Sequence, residues 1–462
     1  MYKLFGHYLP GSLIYLCLIE GLIYLVFVYT GFLLAEARFS AAINTPDTAV
    51  LTGIMLISML AMGLYRRDLR EKFQAVLLRL CLSLLLGSCL LYLYFVLKHD
   101  VLFTHLHLFL TVGCAFFCIV LCRYLLYRRV GAHVKRVLVL GAGRKARRLQ
   151  LMRRGIDRVG IKLVGFIDME DSDNTSVSAQ GILKRLNGAD FDYAGFISSH
   201  GIDEVVIALD EARNRLPTRE IMQIKMQGVH VIDINTFLER QLGKIDLNTF
   251  KTSSFIFSDG FSTNLLGAAS KRFMDVVISG IMLVASVPIM ALTALAIWVE
   301  SGCRGTVIYR QERTGVNNRT FNIIKFRSMQ ENAEGGAGPV WAASNDARVT
   351  RVGRFIRKTR LDELPQLLNV IRGDMSLVGP RPERPQFTRR LDKMLPYYRL
   401  RSCVKPGITG WAQICYPYGA SVHDAGEKLQ FDLYYIKHQN IFLDLLILLQ
   451  TIAVIFLCKG AR

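Results

Sequence analysis

Two neighbouring acids, Asp362 and Glu363, open a stretch in which Leu361, Leu364, Leu367, Leu368 and Ile371 recur at helical spacing, with Gly373 placed to end the helix. Pro365 falls in the first turn, where proline is tolerated. A carboxylate with an ordinary pKa near ~4 is ionised at neutral pH and needs no general base to act as a nucleophile. Adjacent helical residues point about 100° apart, so the two acids can divide tasks, one attacking and one holding a hard cation such as Mg²⁺. The same pattern also describes an ordinary helix start, with Asp362 as N-cap and Glu363 offsetting the helix dipole. Spacing alone favours that plainer reading.

Basic residues surround the pair in sequence. Lys325 and Arg327 alternate on an apparent strand, where they contact phosphates or simply face a membrane surface. Arg310 and Arg313 carry the same two readings, leaning toward headgroup contact. Gly379-Pro380-Arg381-Pro382 is a rigid turn presenting one guanidinium, a group suited to phosphate recognition.

The elements that must position these residues belong to a membrane protein. The 462-residue chain is 52% hydrophobic and carries a formal net charge of +20, and together these point to membrane helices with basic cytoplasmic faces. Nucleic-acid binding, the other reading of such a charge, lacks a basic helix or an aromatic-basic platform. Four apolar stretches, roughly 11–34, 48–65, 76–97 and 101–127, each approach the ~20 residues that cross a bilayer. The first is too long for a signal-peptide core and lacks a clear cleavage site, so it is read as retained. Arg66, Arg67, Arg70 and Lys72 follow the second stretch, and Arg123, Arg128, Arg129, Lys135 and Arg136 close the fourth. Four spans with both termini in the cytoplasm satisfy that pattern. Glu20 lies inside the first span and reads as a structural partner of Arg79 or as a protonated acid. Six of the ten cysteines lie in these spans without CxxC spacing, and read as packing residues.

Residues 131–250 read as a truncated Rossmann-like α/β domain. The strand Arg136–Leu140 runs into Gly141-Ala142-Gly143-Arg144-Lys145-Ala146, a glycine fingerprint with alanine in third place, and a second strand ends at Asp168. Gly141, Gly143 and Asp168 are therefore candidate nucleotide-binding residues. The segment lacks a Tyr-x-x-x-Lys pair, and a scaffolding or regulatory role is expected. A linker, 251–270, leads to a C-terminal domain, 271–462, which opens on a long apolar segment, 273–299. Lys271 and Arg272 precede that segment, and Arg304, Arg310, Arg313, Arg319, Lys325 and Arg327 follow it, so both flanks favour the same face. Pro288 removes a backbone donor mid-segment, and Ser286 is placed to compensate a freed carbonyl. A helix that enters one leaflet, breaks there and returns reconciles these features. The apolar stretch Ile441–Leu457 reads as interfacial, with Tyr434 and Tyr435 as headgroup anchors.

From Lys271 onward the chain resembles the bacterial sugar transferase family, the monotopic phosphoglycosyl transferases. The matching pieces occur in family order: Lys271-Arg272-x-x-Asp275, Tyr309–Gly315, Ile324–Met329, Arg360–Leu367, Gly373–Glu383 and Lys405–Gln413. The apolar N-terminus, the truncated α/β domain and the runs Thr236–Arg240 and Phe257–Phe261 resemble the long form, the exopolysaccharide polyprenyl glycosylphosphotransferases. The resemblance implies that Asp362 attacks the β-phosphate of a UDP-sugar, UDP-glucose first and UDP-galactose second, releasing UMP. It implies that undecaprenyl phosphate then takes the sugar phosphate from the aspartyl intermediate, that Glu363 helps hold Mg²⁺, and that Arg381 contacts substrate. It places the protein in the bacterial inner membrane with the catalytic domain on the cytoplasmic face, and leaves homo-oligomerisation open. The family commonly carries Ser-Pro-Gly-Pro after the membrane helix, whereas this chain reads Ser301-Gly302-Cys303-Arg304-Gly305. Two other classes fit parts of the sequence: a membrane-bound nucleotide sensor without turnover, and a membrane-anchored oxidoreductase using the glycine fingerprint.

Overall fold

The computed structural model describes residues 2–4, 7–9, 11–39, 45–65, 73–98, 105–129, 134–152, 160–168, 176–177, 182–185, 192–210, 216–249, 260–261, 265–303, 305–330, 348–416, 419 and 421–456. Arg66, Arg67, Arg70, Lys72, Arg304 and most of the 251–270 linker lie outside the described residues, as do the side chains of Arg128 and Arg129. The chain forms two compact units, one mainly from residues 8–258 and one mainly from residues 259–462.

Two three-residue strands, β1 (Tyr2–Leu4) and β2 (His7–Leu9), precede four apolar helices: α1 (Gly11–Phe39), α2 (Thr45–Ala61), α3 (Phe73–Lys98) and α4 (His105–Arg129). Gly11–Gly31 and Phe73–Lys98 are long and apolar enough to cross a membrane, whereas the apolar parts of α2 and α4, Asp47–Ala61 and Thr111–Leu126, are shorter. Tyr24, Val28, Met55, Met59, Leu80, Leu91 and Ile119 fill the interior, while Leu18, Leu22, Leu85, Leu93 and Phe117 point outward. Apolar outside as well as inside is what a lipid-facing bundle requires.

Glu20 does not pair with Arg79. It is fully buried and grips Arg123 on α4, whose Nε meets Oε1 at 2.5 Å and whose second terminal nitrogen meets Oε2 at 2.8 Å. Tyr65 donates to Oε2 at 2.5 Å, and Arg123 also reaches the Leu64 carbonyl at 3.2 Å. The reason is packing: α1 lies chiefly against α4, so its carboxylate meets the cation there. At the opposite end of α2, Asp47 accepts from Lys98 at 2.6 Å and from Tyr94 at 2.7 Å.

The remainder of this unit is a five-stranded, fully parallel sheet in the order β5-β4-β3-β6-β7: β3 (Lys135–Leu140), β4 (Ile161–Asp168), β5 (Ile182–Arg185), β6 (Glu204–Ile207) and β7 (His230–Asp233). In sequence terms that is 3-2-1-4-5, the Rossmann order short of its last strand. Helices α5 (Arg144–Gln150), α6 (Tyr193–His200), α7 (Thr218–Met226) and α8 (Ile234–Leu242) follow β3, β5, β6 and β7 in turn. Gly141 has φ +119°, and a Cβ there would lie 2.7 Å from the Ala208 carbonyl, so glycine is required.

The C-terminal unit opens on α9 (Leu265–Glu300), 36 residues long, which begins ahead of the expected start at Phe273 and inside the last residues read as linker. Helix continues through Pro288; Ser286 Oγ donates to the Leu283 carbonyl at 3.0 Å. One face, Asp275, Ser279, Ser286, Thr293 and Ile297, is buried, whereas Ile281, Val284, Val287, Leu292 and Leu295 are exposed. Both ends dock on the same unit. Near the start, Arg272 donates to the carbonyls of Val370 and Ile371 at 2.6 and 2.7 Å, and Asp275 accepts from the Leu377 amide at 3.0 Å. Near the finish, Ile297 shares a core with Phe326 and Ile356, and Glu300 accepts from the Val352 amide at 3.1 Å.

Around this helix lie the hairpin β8 (Ile308–Thr314) and β9 (Thr320–Phe326), α10 (Arg351–Lys358), α11 (Gln366–Arg372), the parallel pair β10 (Ser376–Val378) and β11 (Gly407–Thr409), α12 (Pro385–Met394), α13 (Trp411–Cys415), α14 (Val422–Lys437) and α15 (Ile441–Phe456). Tyr434 and Tyr435 are not headgroup anchors, for both are buried inside the unit. Tyr435 donates to Asp444 at 2.8 Å, and Asp444 in turn accepts from Lys271 at 2.7 Å, so polar groups in this apolar region satisfy one another.

Replacing Arg123 by Met should cost about 3–5 kcal/mol, because Glu20 is left buried and unpaired. Thermal unfolding in nanodiscs should show a smaller loss for the E20Q/R123M double variant than for R123M alone; equal losses would mean the pair is not coupled.

Candidate active site

The backbone brings the acids out of α10 by a sharp turn. Helix α10 ends at Lys358, and Arg360 adopts left-handed φ/ψ (62°, 15°), a conformation uncommon for a residue with a Cβ and concentrated at functional sites. Leu361–Glu363 then forms one turn of 3-10 helix, and Pro365 caps α11. Asp362 is therefore not a helix N-cap. Its carboxylate makes no hydrogen bond or ion pair among the described residues, although both acids are only 9% exposed.

Glu363 is held quite differently. Arg381, Lys325 and Arg360 converge on its Oε1 at 2.7, 3.3 and 3.5 Å. Burial alone would raise its pKa, but the three cations outweigh burial and hold it well below the usual carboxylate range. Asp362 moves the other way, pushed up to about 6 by burial first and by the neighbouring Glu363 charge second, with the cations opposing. The ordinary value near ~4 expected from sequence is thus displaced upward, yet a group titrating there is still mostly ionised at neutral pH. Burial also lowers the Lys325 pKa, with Glu363 opposing that shift.

The sequence-derived cations separate into groups. Lys325 and Arg381 join the acids. Arg313 shares the Lys325 face of the hairpin and is pulled down in pKa by burial; it donates to the Pro382 carbonyl at 3.1 Å and to Gln311 at 2.6 Å, bracing the Gly379–Pro382 turn rather than pairing with either acid. Arg310 lies on the opposite face and is exposed. Arg327 follows β9 and packs over Gly305, where a Cβ would lie 2.3 Å from its guanidinium. Ser286 and Pro288 are on α9.

Two contributors were not singled out from sequence. Arg360 touches Glu363 as described. Arg401 donates to the Arg381 carbonyl at 3.0 Å and to Asp432 at 2.9 Å, fixing the turn from behind. A charged residue directly preceding the acids was the available signal for Arg360. Arg401 carried none, because its partners are distant in sequence.

Gly141, Gly143 and Asp168 belong to the α/β sheet, at the ends of β3 and β4. The backbone amides of Arg144 and Lys145, which open α5, donate to the two carboxylate oxygens of Asp210 at 2.8 and 2.9 Å. These are the amides that a glycine fingerprint would turn toward a pyrophosphate.

Comparison with known proteins coincides with this geometry. Residues 266–458 match the family model described as bacterial sugar transferase. An undecaprenyl-phosphate galactose phosphotransferase of Salmonella typhimurium is 30% identical over 362 residues, covering 73% of this chain and 71% of the relative. The chain belongs to the bacterial sugar transferase family. A UDP-glucose:undecaprenyl-phosphate glucose-1-phosphate transferase of Xanthomonas campestris is 30% identical over 70% of this chain and 67% of the relative. A UDP-N-acetylgalactosamine-undecaprenyl-phosphate N-acetylgalactosaminephosphotransferase of Aeromonas hydrophila is 47% identical over 192 residues, a match spanning 42% of this chain and 45% of that protein's own length. The residues matched by the family model lie in the unit that carries Asp362 and Glu363.

The opposed pKa shifts fix opposite stability effects. A raised folded-state pKa means that ionised Asp362 costs stability at pH 7.5, so D362N should raise the unfolding temperature. The lowered pKa of Glu363 means its ionised form stabilises the fold, and E363Q should lower the unfolding temperature. Both effects are on the order of 1–3 kcal/mol, since one pK unit is worth about 1.4 kcal/mol. Shifts of the same sign in differential scanning fluorimetry would contradict the assignment.

Proposed function

We propose that the protein transfers a sugar 1-phosphate from a UDP-sugar to undecaprenyl phosphate, giving undecaprenyl diphosphate-sugar and UMP, the priming step of exopolysaccharide synthesis. The inequality of the two acids carries this reading: one clamped carboxylate beside one that is ionisable and has no hydrogen bond or ion pair among the described residues. Asp362 attacks the β-phosphorus, the bond to the UMP oxygen breaks, and a sugar-phosphoryl aspartate forms. An oxygen of the lipid phosphate then attacks the same phosphorus and frees Asp362. Arg381 and Lys325 stand where they offset the diphosphate charge that otherwise repels the carboxylate.

Mg²⁺ fits the donor set. No group of three or more His, Cys, Asp or Glu with metal-ligand geometry occurs among the described residues, but Mg²⁺ commonly takes one or two carboxylates with the remaining positions from phosphate and water. Glu363 would hold it, leaving Asp362 to attack. When bound, it would neutralise diphosphate charge.

UDP-glucose is the favoured donor and UDP-galactose the next, in keeping with the named activities of the Xanthomonas and Salmonella relatives. Four membrane spans anchor the N-terminus, and α9 dips into one leaflet and returns, in the inner membrane with the catalytic unit on the cytoplasmic side. The docking of both ends of α9 on one unit supports that path, since a helix crossing the bilayer carries one end about 30 Å from the other. The α/β unit serves as scaffold: its helix-opening amides are already engaged by Asp210, which weighs against a nucleotide sensor.

With undecaprenyl phosphate, Mg²⁺ and a panel of UDP-glucose, UDP-galactose and UDP-N-acetylgalactosamine, the accepted donor should release UMP; release of UDP would indicate ordinary glycosyl transfer. D362N should abolish UMP release. The nucleophile must be ionised, so kcat/KM should fall about tenfold per pH unit below about 6 and level off above it. A flat profile down to pH ~4.5 would contradict the role of Asp362.

A further inference from the structure

We infer that Asn369 is the positioning residue that sets Lys325 against the acid pair. The inference rests on the catalytic reading of Asp362 and Glu363 above. Asn369 is fully buried on α11, about two helical turns beyond Asp362. Its side-chain amide is bonded on both sides to the backbone of β9: Oδ1 accepts from the Ile324 amide at 3.0 Å, and Nδ2 donates to the Asn322 carbonyl at 2.9 Å. It thus imitates a neighbouring strand and joins α11 to β9 where no strand could pair. Nδ2 also donates to Asp374 Oδ2 at 3.3 Å. The Asn369 carbonyl accepts from the amides of Gly373 and Asp374 at 3.1 and 3.0 Å, which fixes the far end of the same helix.

The position of this clamp matters because Lys325 directly follows Ile324. The strand residue whose amide Asn369 holds is one step from the ammonium that meets Glu363 at 3.3 Å. A slide of β9 along α11 would carry Lys325 away from both acids, whose charges it offsets. Only asparagine offers an acceptor and a donor at this spacing. Aspartate keeps the acceptor, loses the donor to Asn322, and faces Asp374 with a second negative charge.

The full-length protein in nanodiscs provides the test, with two readouts. Hydrogen exchange across the β9 peptide reports the hold of Asn369 on the strand without requiring turnover, and it should quicken in N369D, which loses the donor to Asn322. UMP release should lose about 10–100-fold in kcat, the scale of an ångström-level misplacement, with KM for UDP-glucose changed little. N369D/D374N, which removes the like-charge contact and lets position 374 donate, should recover part of both effects. Unchanged β9 exchange in folded N369D overturns the inference, as does a loss in kcat that the double variant fails to relieve. A wild type whose β9 exchanges slowly but which releases no UMP would count against the transferase reading alone.

Discussion

Two carboxylates on adjacent residues share one set of cations unequally, and the C-terminal unit is arranged around that inequality. Arg381, Lys325 and Arg360 all meet Glu363 at a single oxygen. Asp362 therefore feels the loss of water and the neighbouring negative charge without a direct partner among the described residues, and its proton affinity rises. Pairs of acids pushed apart in this way are a recurring sign of divided chemical roles. On the proposed mechanism the clamped acid is the fixed point and its neighbour the nucleophile.

The surrounding fold can be read as the means of holding those cations. Arg381 is presented by a proline-flanked turn that Arg313 braces from one side and Arg401 from the other. Lys325 comes from an edge strand held to α11. Arg360 is placed by a left-handed residue conformation at the helix junction. The membrane helix enters the same scheme, because Arg272 caps the last carbonyls of α11, the helix that begins beside the acids. The long apolar helix and the helix beside the acid pair are thus joined by a few charge-assisted hydrogen bonds, which are stronger than neutral ones in a dry setting.

Much of this was legible in the sequence, for reasons that differ by element. The glycine-rich turn after β3 could be recognised because Gly141 needs a positive φ and a bare Cα, and such demands leave few residue choices. Arg381 could be recognised because two prolines fix its turn locally. The Lys271-Arg272-x-x-Asp275 pattern was visible, but its purpose was not, since its partners lie about a hundred residues away at Val370, Ile371, Leu377 and Asp444. The same distance hid Arg123 behind Arg79 as the partner of Glu20, because hydropathy gives the spans without their neighbours. Tyr434 and Tyr435 misled for a related reason: composition marks tyrosines beside an apolar run as interfacial, and only packing reveals that their hydroxyls point inward.

The most direct measurement is the mass of the peptide containing Asp362 and Glu363 after the enzyme is mixed with UDP-glucose in the absence of lipid acceptor and quenched in acid. A hexose-phosphate adduct on Asp362, lost on adding undecaprenyl phosphate, is the predicted result. An unmodified peptide accompanied by normal lipid-linked product, or an adduct on Glu363 instead, would contradict the division of labour between the two acids.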